Sequence, residues 1–130
     1  MSINLNSMIS LQASALDLRA RRHEVIATNI ANADTPGYRA RDIDFKSALE
    51  QTMRAYQAPE APGAAQLLKS GPELQYRNPW QPSEDGNTVE SQIEQAALAE
   101  NAIQYQATLN FLKGKFSDLK LALTGNSSGG

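Results

Sequence analysis

The fold of this chain is decided at Asn29-Ile30-Ala31-Asn32-Ala33-Asp34-Thr35-Pro36-Gly37-Tyr38, where a long helical pattern ends and the chain turns sharply. Asn32 is a candidate C-terminal cap, because asparagine tolerates the left-handed conformation that often closes a helix. Pro36 cannot continue a helix and biases Thr35 toward an extended conformation. Pro36 and Gly37 fit the central positions of a type II turn, where glycine supplies the positive φ. This stretch predicts a helix followed by a change of direction.

Residues 4–32, upstream of this turn, have the periodicity of an amphipathic helix. Apolar positions alternate spacings of four and three, as in a heptad seam, and the alanines among them favour close helix approach. A second stripe, at Leu11, Leu18 and Val25, lies on another face. A helix that is apolar on two faces usually has more than one neighbour, which indicates self-association. The first seam consists of Ile9, Ala13, Leu16, Ala20, His23, Ala27 and Ile30.

The last third of the chain predicts a second long helix, from Thr88 to about Leu123. Asn87, with Glu90 three positions later, resembles a capping box, and Gly125 ends the pattern. The apolar residues again step by four and three, which is typical of coiled-coil packing. At about 1.5 Å per residue this helix would be roughly 50 Å long. Its seam consists of Leu98, Ala102, Tyr105, Leu109, Leu112, Phe116, Leu119 and Leu123.

The middle of the chain is short and irregular. Residues after Asp44 can form a short helix, residues 54–73 have the proline, glycine and alanine content of a flexible loop, and residues 74–77 alternate like a strand. The predicted face of the short helix is Ile43, Phe45, Ala48, Leu49, Thr52 and Met53.

We therefore expect a mainly α fold: an elongated, coiled-coil-like antiparallel hairpin of the two terminal helices, with a small loop-rich region containing short strands. The expected division is an N-terminal axial helix over residues 1–33 and a turn, short helix, loop and β-like protrusion over residues 34–87. A C-terminal axial helix over residues 88–124 and a disordered tail over residues 125–130 complete it.

Composition argues against several classes of function. A net charge of −2, from 12 basic and 14 acidic residues, gives no electrostatic case for nucleic acid or an anionic membrane. The absence of cysteine and the single histidine argue against a metal site, and no set of nucleophile, base and orienting residue marks an enzyme. We therefore expect no cofactor. We also expect no membrane insertion and no cleaved secretory signal, because the sequence has no continuous apolar run.

Three groups of polar and aromatic residues remain as candidates. Arg19, Arg21, Arg22 and His23 form a basic cluster, which we interpret as a solvated or inter-subunit salt-bridging face, with His23 itself packed and hydrogen-bonded. Asp34, Asp42 and Asp44 lack the spacing of a calcium loop and are expected to cap or to face solvent. Tyr38, Phe45, Tyr76 and Trp80 form either a small satellite core or interface anchors.

The ten-residue string at the turn resembles the signature that follows the N-terminal helix in axial proteins of the bacterial flagellar rod and hook. The resemblance is to the proximal rod protein of the basal body, the FlgB type. It extends over residues 18–20 and 22–45, over a second block in residues 76–89, and over residues 101–123. The signature residues of the turn are Asn29, Asn32, Asp34, Thr35, Pro36, Gly37 and Tyr38.

This resemblance implies a non-enzymatic subunit that packs its terminal helices into a helical tube, transmitting torque from motor to hook and filament around an export channel. It implies as partners other copies of itself, other rod proteins, the export-junction and base-ring proteins, and the flagellar type III export apparatus. It implies a place in the rod, in the periplasmic space. The alternative is a soluble coiled-coil adaptor or secretion chaperone, whose heptads would be similar.

Overall fold

The computed structural model describes residues 5–125, and this part of the chain is mainly α-helical. Its elements, in chain order, are α1 (Leu5–Ala31), β1 (Arg41–Asp42), α2 (Phe45–Gln57), α3 (Ala64–Ser70), β2 (Gln75–Tyr76) and α4 (Ser91–Leu123). The expected tail over residues 125–130 lies outside the described residues, apart from Gly125.

The predicted antiparallel hairpin of terminal helices is confirmed. Asn29, near the end of α1, donates to Glu94, near the start of α4. Arg19, in the middle of α1, donates to Gln104, farther along α4. The later residue of α4 contacts the earlier residue of α1, so the two helices run in opposite directions. Residues whose numbers sum to about 123 therefore lie at the same level of the hairpin.

The small core joins α1 to α2 at one side of the hairpin. Leu18, Ile43 and Ala48 are buried together, and Val25, Phe45 and Leu49 pack against them. The predicted apolar face of the short helix is therefore real, and it covers the second stripe of α1. Asp44 caps α2, since its side chain accepts a hydrogen bond from the Ser47 amide at 3.3 Å.

A two-stranded antiparallel sheet lies at the turn end of the hairpin. Arg41 pairs with Tyr76, and Asp42 pairs with Gln75. The strand expected at residues 74–77 therefore exists as β2, but β1 was not expected. The chain between the strands also holds α3, bounded by Gly63 and Gly71, where composition alone predicted a flexible loop.

Both long helices end differently from the expectation at one terminus. α4 begins at Ser91, and its N-cap is Glu90, which makes no side-chain capping bond, so the capping box at Asn87 and Glu90 is wrong. α1 ends at Ala31, but Asn32 does not adopt the expected left-handed conformation, because only glycines have positive φ within residues 5–125. Asn32 instead donates its side-chain amide to the Thr28 carbonyl at 2.8 Å. Gly125, with φ of 65°, follows the end of α4 as predicted.

Candidate functional site

The turn after α1 has the predicted local geometry. Gly37 has φ of 74°, and the Tyr38 amide donates to the Thr35 carbonyl at 3.2 Å, as a type II turn with Pro36 and Gly37 at its centre requires. The Thr35 hydroxyl also donates to the Asn32 side-chain oxygen at 3.1 Å. Hydrogen bonds among residues of the turn itself therefore contribute to its conformation, in addition to contacts with distant parts of the chain.

Asn87 closes the turn from a distance of more than fifty residues. Its side-chain amide donates to the carbonyls of Asn32, Ala33 and Thr35 at 2.8–2.9 Å. Its side-chain oxygen accepts the Val89 amide at 2.7 Å. These carbonyls lie just beyond the end of α1, where no further helical turn supplies donors. Asn87, which is 6% exposed, is therefore the cap of the turn rather than the cap of α4.

The backbone on both sides of Asn87 also pairs with the chain that leaves the turn. The Gly37 amide donates to the Asp85 carbonyl at 2.9 Å, and the Thr88 amide donates to the Tyr38 carbonyl at 2.9 Å. The Ala40 amide donates to the Thr88 hydroxyl at 2.7 Å. Residues 37–40 and 85–88 therefore form one bonded unit, although the sheet itself begins only at Arg41.

An ion-pair network joins this unit to both long helices. Arg22 on α1 binds Asp42 on β1 with two bonds, of 2.9 and 3.0 Å. Arg77, which follows β2, bridges Asp42 and Glu94 on α4. Glu94 is 1% exposed, so its negative charge must be balanced by a cation of the protein, here Arg77. Such a buried carboxylate requires a paired cation and further hydrogen bonds, and Arg77 and Asn29 supply both.

Asn29, in the signature string, is the amide at the centre of this network. It is fully buried, and its side-chain amide donates to the Arg41 carbonyl at 2.7 Å and to Glu94 at 3.2 Å. Its side-chain oxygen accepts the Arg41 amide at 3.1 Å. One side chain of α1 therefore binds both β1 and α4. We call this network, together with the Asn87 side chain that caps the turn, the junction; its members are Arg22, Asn29, Asp42, Arg77, Asn87 and Glu94.

Proton affinities in the junction follow from these contacts. Burial alone would raise the pKa of Asp42, but hydrogen bonds from Arg22, from the Ile43 amide and from Arg77 outweigh it and hold the pKa below its usual value. The hydrogen bond to Asp42 in turn raises the pKa of Arg22. Both groups are therefore charged at neutral pH, which suits a structural ion pair rather than a proton-transfer site.

Comparison with known proteins shows the family to which this chain belongs. Residues 9–39, which cover most of α1 and the turn, match the family described as "Flagella basal body rod protein". The chain is 44% identical over 126 residues to the flagellar basal body rod protein FlgB of Escherichia coli (strain K12), covering 88% of this chain and 91% of that relative. The chain belongs to the FlgB family of flagellar basal body rod proteins.

Two further FlgB proteins extend this similarity to other bacteria. The FlgB of Aeromonas hydrophila is 42% identical over 130 residues, covering 96% of this chain and 98% of that protein. The FlgB of Cereibacter sphaeroides (strain ATCC 17029 / ATH 2.4.9) is 40% identical over 122 residues, covering 90% of this chain and 94% of that protein. The resemblance inferred from the sequence blocks is confirmed.

The first two blocks that carried the FlgB resemblance meet at the junction. Asn29 and Asp42 come from the first block, and Arg77 and Asn87 come from the second. Arg77 of the second block binds Asp42 of the first block and Glu94 of α4, and Asn87 of the second block binds carbonyls of the turn in the first block. The stretches that resemble the family therefore build one physical feature, the fastening of the middle region to the axial helices.

The structure contradicts part of the interpretation of the basic cluster. Arg22 is paired within the chain, and Arg19 lies 4.0 Å from the centre of the Phe45 ring and donates to Gln104. Arg21 alone matches the expected exposed salt bridge, to Asp17 at 2.9 Å. Burial lowers the pKa of Arg19, opposed by Glu100. The cluster therefore holds α1 against α2, β1 and α4, and it was wrong to place Arg19 and Arg22 on an outer face.

The aromatic and acidic candidates of the FlgB-family chain divide between core and surface. Phe45 packs in the small core, whereas Tyr76 is 51% exposed and Trp80 is 86% exposed. Asp34 is exposed and Asp44 caps α2, as expected, but Asp42 is a half-buried junction residue. Among the described residues, no cluster of three His, Asp or Glu side chains suits a metal ion, and no helix is long and apolar enough to cross a membrane.

The predicted α1 seam of the FlgB-family chain faces largely outward. Ala13, Ala20, His23 and Ala27 are exposed, and Ile9, Leu16 and Ile30 are half-buried. The expectation of a packed, hydrogen-bonded His23 is therefore wrong for the single chain. The buried positions of α1 include Ala15, Leu18 and Asn29, each of which lies two residues from a member of the seam. Two residues correspond to a rotation of about 200° around an α-helix, so the buried face lies roughly opposite the seam.

The predicted α4 seam lies partly at the helix contact and partly outside it. Leu112 is buried, and Leu98, Tyr105, Leu109 and Leu119 are half-buried. Ala102, Phe116 and Leu123 are exposed. The fully buried positions on this helix also include Glu94 and Asn101, which a search for apolar residues cannot find.

Proposed function

We propose that this chain is a non-enzymatic structural subunit of the flagellar basal body rod. Its membership of the FlgB family supports a place in the basal body, among other rod components. In this role the chain is exported by the flagellar type III apparatus without a cleaved signal. It then assembles in the periplasmic space with other copies, with other rod proteins and with export-junction and base-ring proteins.

The single observation that carries the mechanism is that both long helices keep apolar residues on their outer faces. Ile103 is 71% exposed, Phe116 is 54% exposed and Leu123 is 79% exposed. The exposed alanines of α1 add to this surface. Helices that are apolar around most of their circumference are stable only when other helices cover them. The proposed cover is the packing of neighbouring subunits into a tube around the export channel.

The junction suits the mechanical part of this proposal. A subunit that transmits torque must not let its middle region rotate freely against its helices. The partly buried ion pairs and the Asn87 bonds join the two helices, the sheet and the turn at one end of the hairpin. Bonds in a buried network require one arrangement of their partners, so they fix the angle between the helices and the middle region.

The alternative of a soluble adaptor or secretion chaperone has no support from the comparisons. Both classes have helical terminal segments, so the circular dichroism spectrum of the single chain is the reference, and location in the cell decides. A rod subunit should be recovered with isolated basal bodies, whereas a chaperone should stay in the cytoplasmic fraction.

Fractionation of cells tests the function itself. An epitope-tagged chain, expressed in a strain that lacks its own rod protein of this type, should restore swimming and copurify with basal bodies. A matched variant with Ala27→Asp, on the outer face of α1, should remain folded but fail in both assays. Recovery of the tagged chain only in the cytoplasm, with no restored motility, would contradict the proposal.

A further inference from the structure

The two-stranded sheet has one closed edge. In antiparallel strands, directly opposite residues alternate between pairs that bond to each other and pairs whose backbone groups point away from the partner strand. Arg41 of β1 lies opposite Tyr76 of β2. Both backbone groups of Arg41 bond to the Asn29 side chain of α1, so they point away from β2. Asn29 therefore takes the place of a third strand and closes the outer edge of β1.

The same register leaves the outer edge of β2 open. Because the backbone groups of Arg41 point away from β2, those of Tyr76 point away from β1. Neither the N–H nor the C=O of Tyr76 has a hydrogen-bond partner within residues 5–125. Both residues of β2 are exposed. A strand with such a free edge can pair with an extended segment of another chain.

Two arginines without an acidic partner lie beside the open edge. The guanidinium of Arg39 lies 4.0 Å from the centre of the Tyr76 ring, and that of Arg41 lies 5.2 Å from it. Both arginines are exposed, and neither forms a salt bridge in the part of the chain that the structure describes. Two positive charges beside one ring repel each other and would both attract a carboxylate.

An added antiparallel strand would bring one of its side chains to these arginines. The residue opposite Tyr76 would exchange two backbone hydrogen bonds with it, and the two side chains would share one face of the sheet. Directly opposite residues have Cβ atoms about 5 Å apart. A glutamate opposite Tyr76 would therefore reach the guanidiniums that lie over the tyrosine ring, whereas a lysine there would be repelled.

We propose that the outer edge of β2 binds an extended acidic segment of a partner protein as an added antiparallel strand, with a glutamate or aspartate opposite Tyr76. Charge complementarity with Arg39 and Arg41 selects this occupant. The antiparallel direction continues the existing sheet and gives slightly more stable pairs than the parallel one. The inference rests on the proposed function for the partner's place in the basal body. The edge belongs to the middle region, so this contact is separate from the packing of the axial helices.

Synthetic peptides and the purified full chain test the pairing. The probe is the peptide acetyl-TVEVT-amide, whose β-branched residues favour an extended conformation, and the neutral match is acetyl-TVQVT-amide. Titration of the isotope-labelled chain, followed by NMR, should shift the backbone amides of residues 74–78. Hydrogen exchange of the Tyr76 amide should become slower. The glutamate peptide should bind about fivefold more tightly than the glutamine peptide.

N-methylation of the peptide separates backbone pairing from charge attraction. Methylation of the glutamate amide removes the donor that would face the Tyr76 carbonyl, so it should abolish binding. Methylation of the valine amide that follows should leave the affinity unchanged, because that amide would point away from β2. The two methylated peptides have the same composition and charge.

Variants of the chain test the two arginines. A chain with Arg39→Gln and Arg41→Gln should bind the glutamate and glutamine peptides equally. Arg54→Gln, at an exposed position of α2, removes a positive charge far from the strands in sequence and should keep the fivefold preference. All variants should have the circular dichroism spectrum of the unmodified chain, because the substituted side chains are exposed.

The outcomes separate this contact from the rod function. No binding of the glutamate peptide, equal binding of the glutamine peptide, or the same shifts with sodium acetate would overturn the proposal. Shifts at residues 74–78 when the chain alone is concentrated would make the occupant a second copy and would also overturn it. Since the purified chain is used, these failures leave the rod function standing. A chain that binds the glutamate peptide but is absent from basal bodies would support the edge contact and contradict the rod function.

Discussion

Arg77 and Glu94 form an ion pair that fastens the residue after β2 to the first turn of α4. Glu94 is 1% exposed, and Arg77 uses its second amino group to hold Asp42. The same Glu94 accepts from Asn29 of α1 at 3.2 Å. One carboxylate on α4 therefore ties the middle region and both axial helices together.

Loss of that carboxylate's charge should destabilise the whole hairpin. Glu94→Gln keeps the size of the side chain but leaves Arg77 without one of its partners, and breaking such a buried pair should cost about 3 kcal/mol. Urea unfolding, followed by circular dichroism, measures this cost. Glu100→Gln, an exposed neighbour on the same helix, should change the unfolding free energy by less than about 0.5 kcal/mol. Equal effects of the two variants would contradict the structural role of the junction.

The hydrogen-bond donors of the Asn87 side chain should contribute to the stability of the fold. Asn87→Asp keeps the oxygen that accepts from Val89 but removes the donor to three carbonyls and places a negative charge beside them. We expect a loss of about 2–3 kcal/mol in the unfolding free energy. Amide hydrogen exchange should also become faster at residues 37–40. Asn78→Asp, at an exposed position in the same region, is the matched control and should leave both quantities unchanged.

Two glycines should respond to alanine with opposite signs. Gly37 has φ of 74° with open space around it, so Gly37→Ala suffers only from the backbone conformation and should lose about 1 kcal/mol. Gly114 lies in the exposed middle of α4, also with open space, so Gly114→Ala should gain about 1 kcal/mol through helix propensity. Thermal melts of the two variants check both signs. A stabilised Gly37→Ala variant would show that the turn does not hold this conformation.

Stability should fall in acid through Asp42. Its pKa is lower in the folded chain than in the unfolded chain, so the unfolded chain binds more protons between the two values. The contribution of Asp42 is complete above the unfolded pKa, about 4, and is lost as pH falls through the lower folded pKa. Unfolding free energies measured from pH 6 down to pH 2 should show this decline. Asp42→Asn should be less stable at neutral pH and should show a smaller decline, and an unchanged decline would contradict the assignment.

The helices and the turn were predictable because their signals are local. The spacing of apolar residues predicted α1 and α4, and Asp44 and Gly125 marked the start of α2 and the end of α4. The positive φ of Gly37 follows from its place after Pro36. Each of these signals operates within a few residues, where sequence pattern and backbone geometry are directly linked.

The junction was not predictable, because its partners lie far apart in the chain and look ordinary where they stand. The sequence predicts a surface acid at Asp42 and a helix cap at Asn87. Only the folded chain shows that Asp42 binds Arg22 and that Asn87 binds the turn. α3 has the composition of a loop, and β1 has only two residues, too few to show alternation. The α1 seam faces largely outward in the single chain, because the helix packs its other apolar stripe against α2.

Thiol protection in isolated basal bodies tests the central claim, that the outer faces of α1 and α4 are buried between subunits of the rod. Ala20→Cys and Ala102→Cys are exposed in the single chain and should react fully with a maleimide in purified protein. In basal bodies purified from cells that express them, both cysteines should be protected, while Ala61→Cys should stay reactive. Equal labelling of all three positions in basal bodies, or absence of the chain from that fraction, would contradict the account.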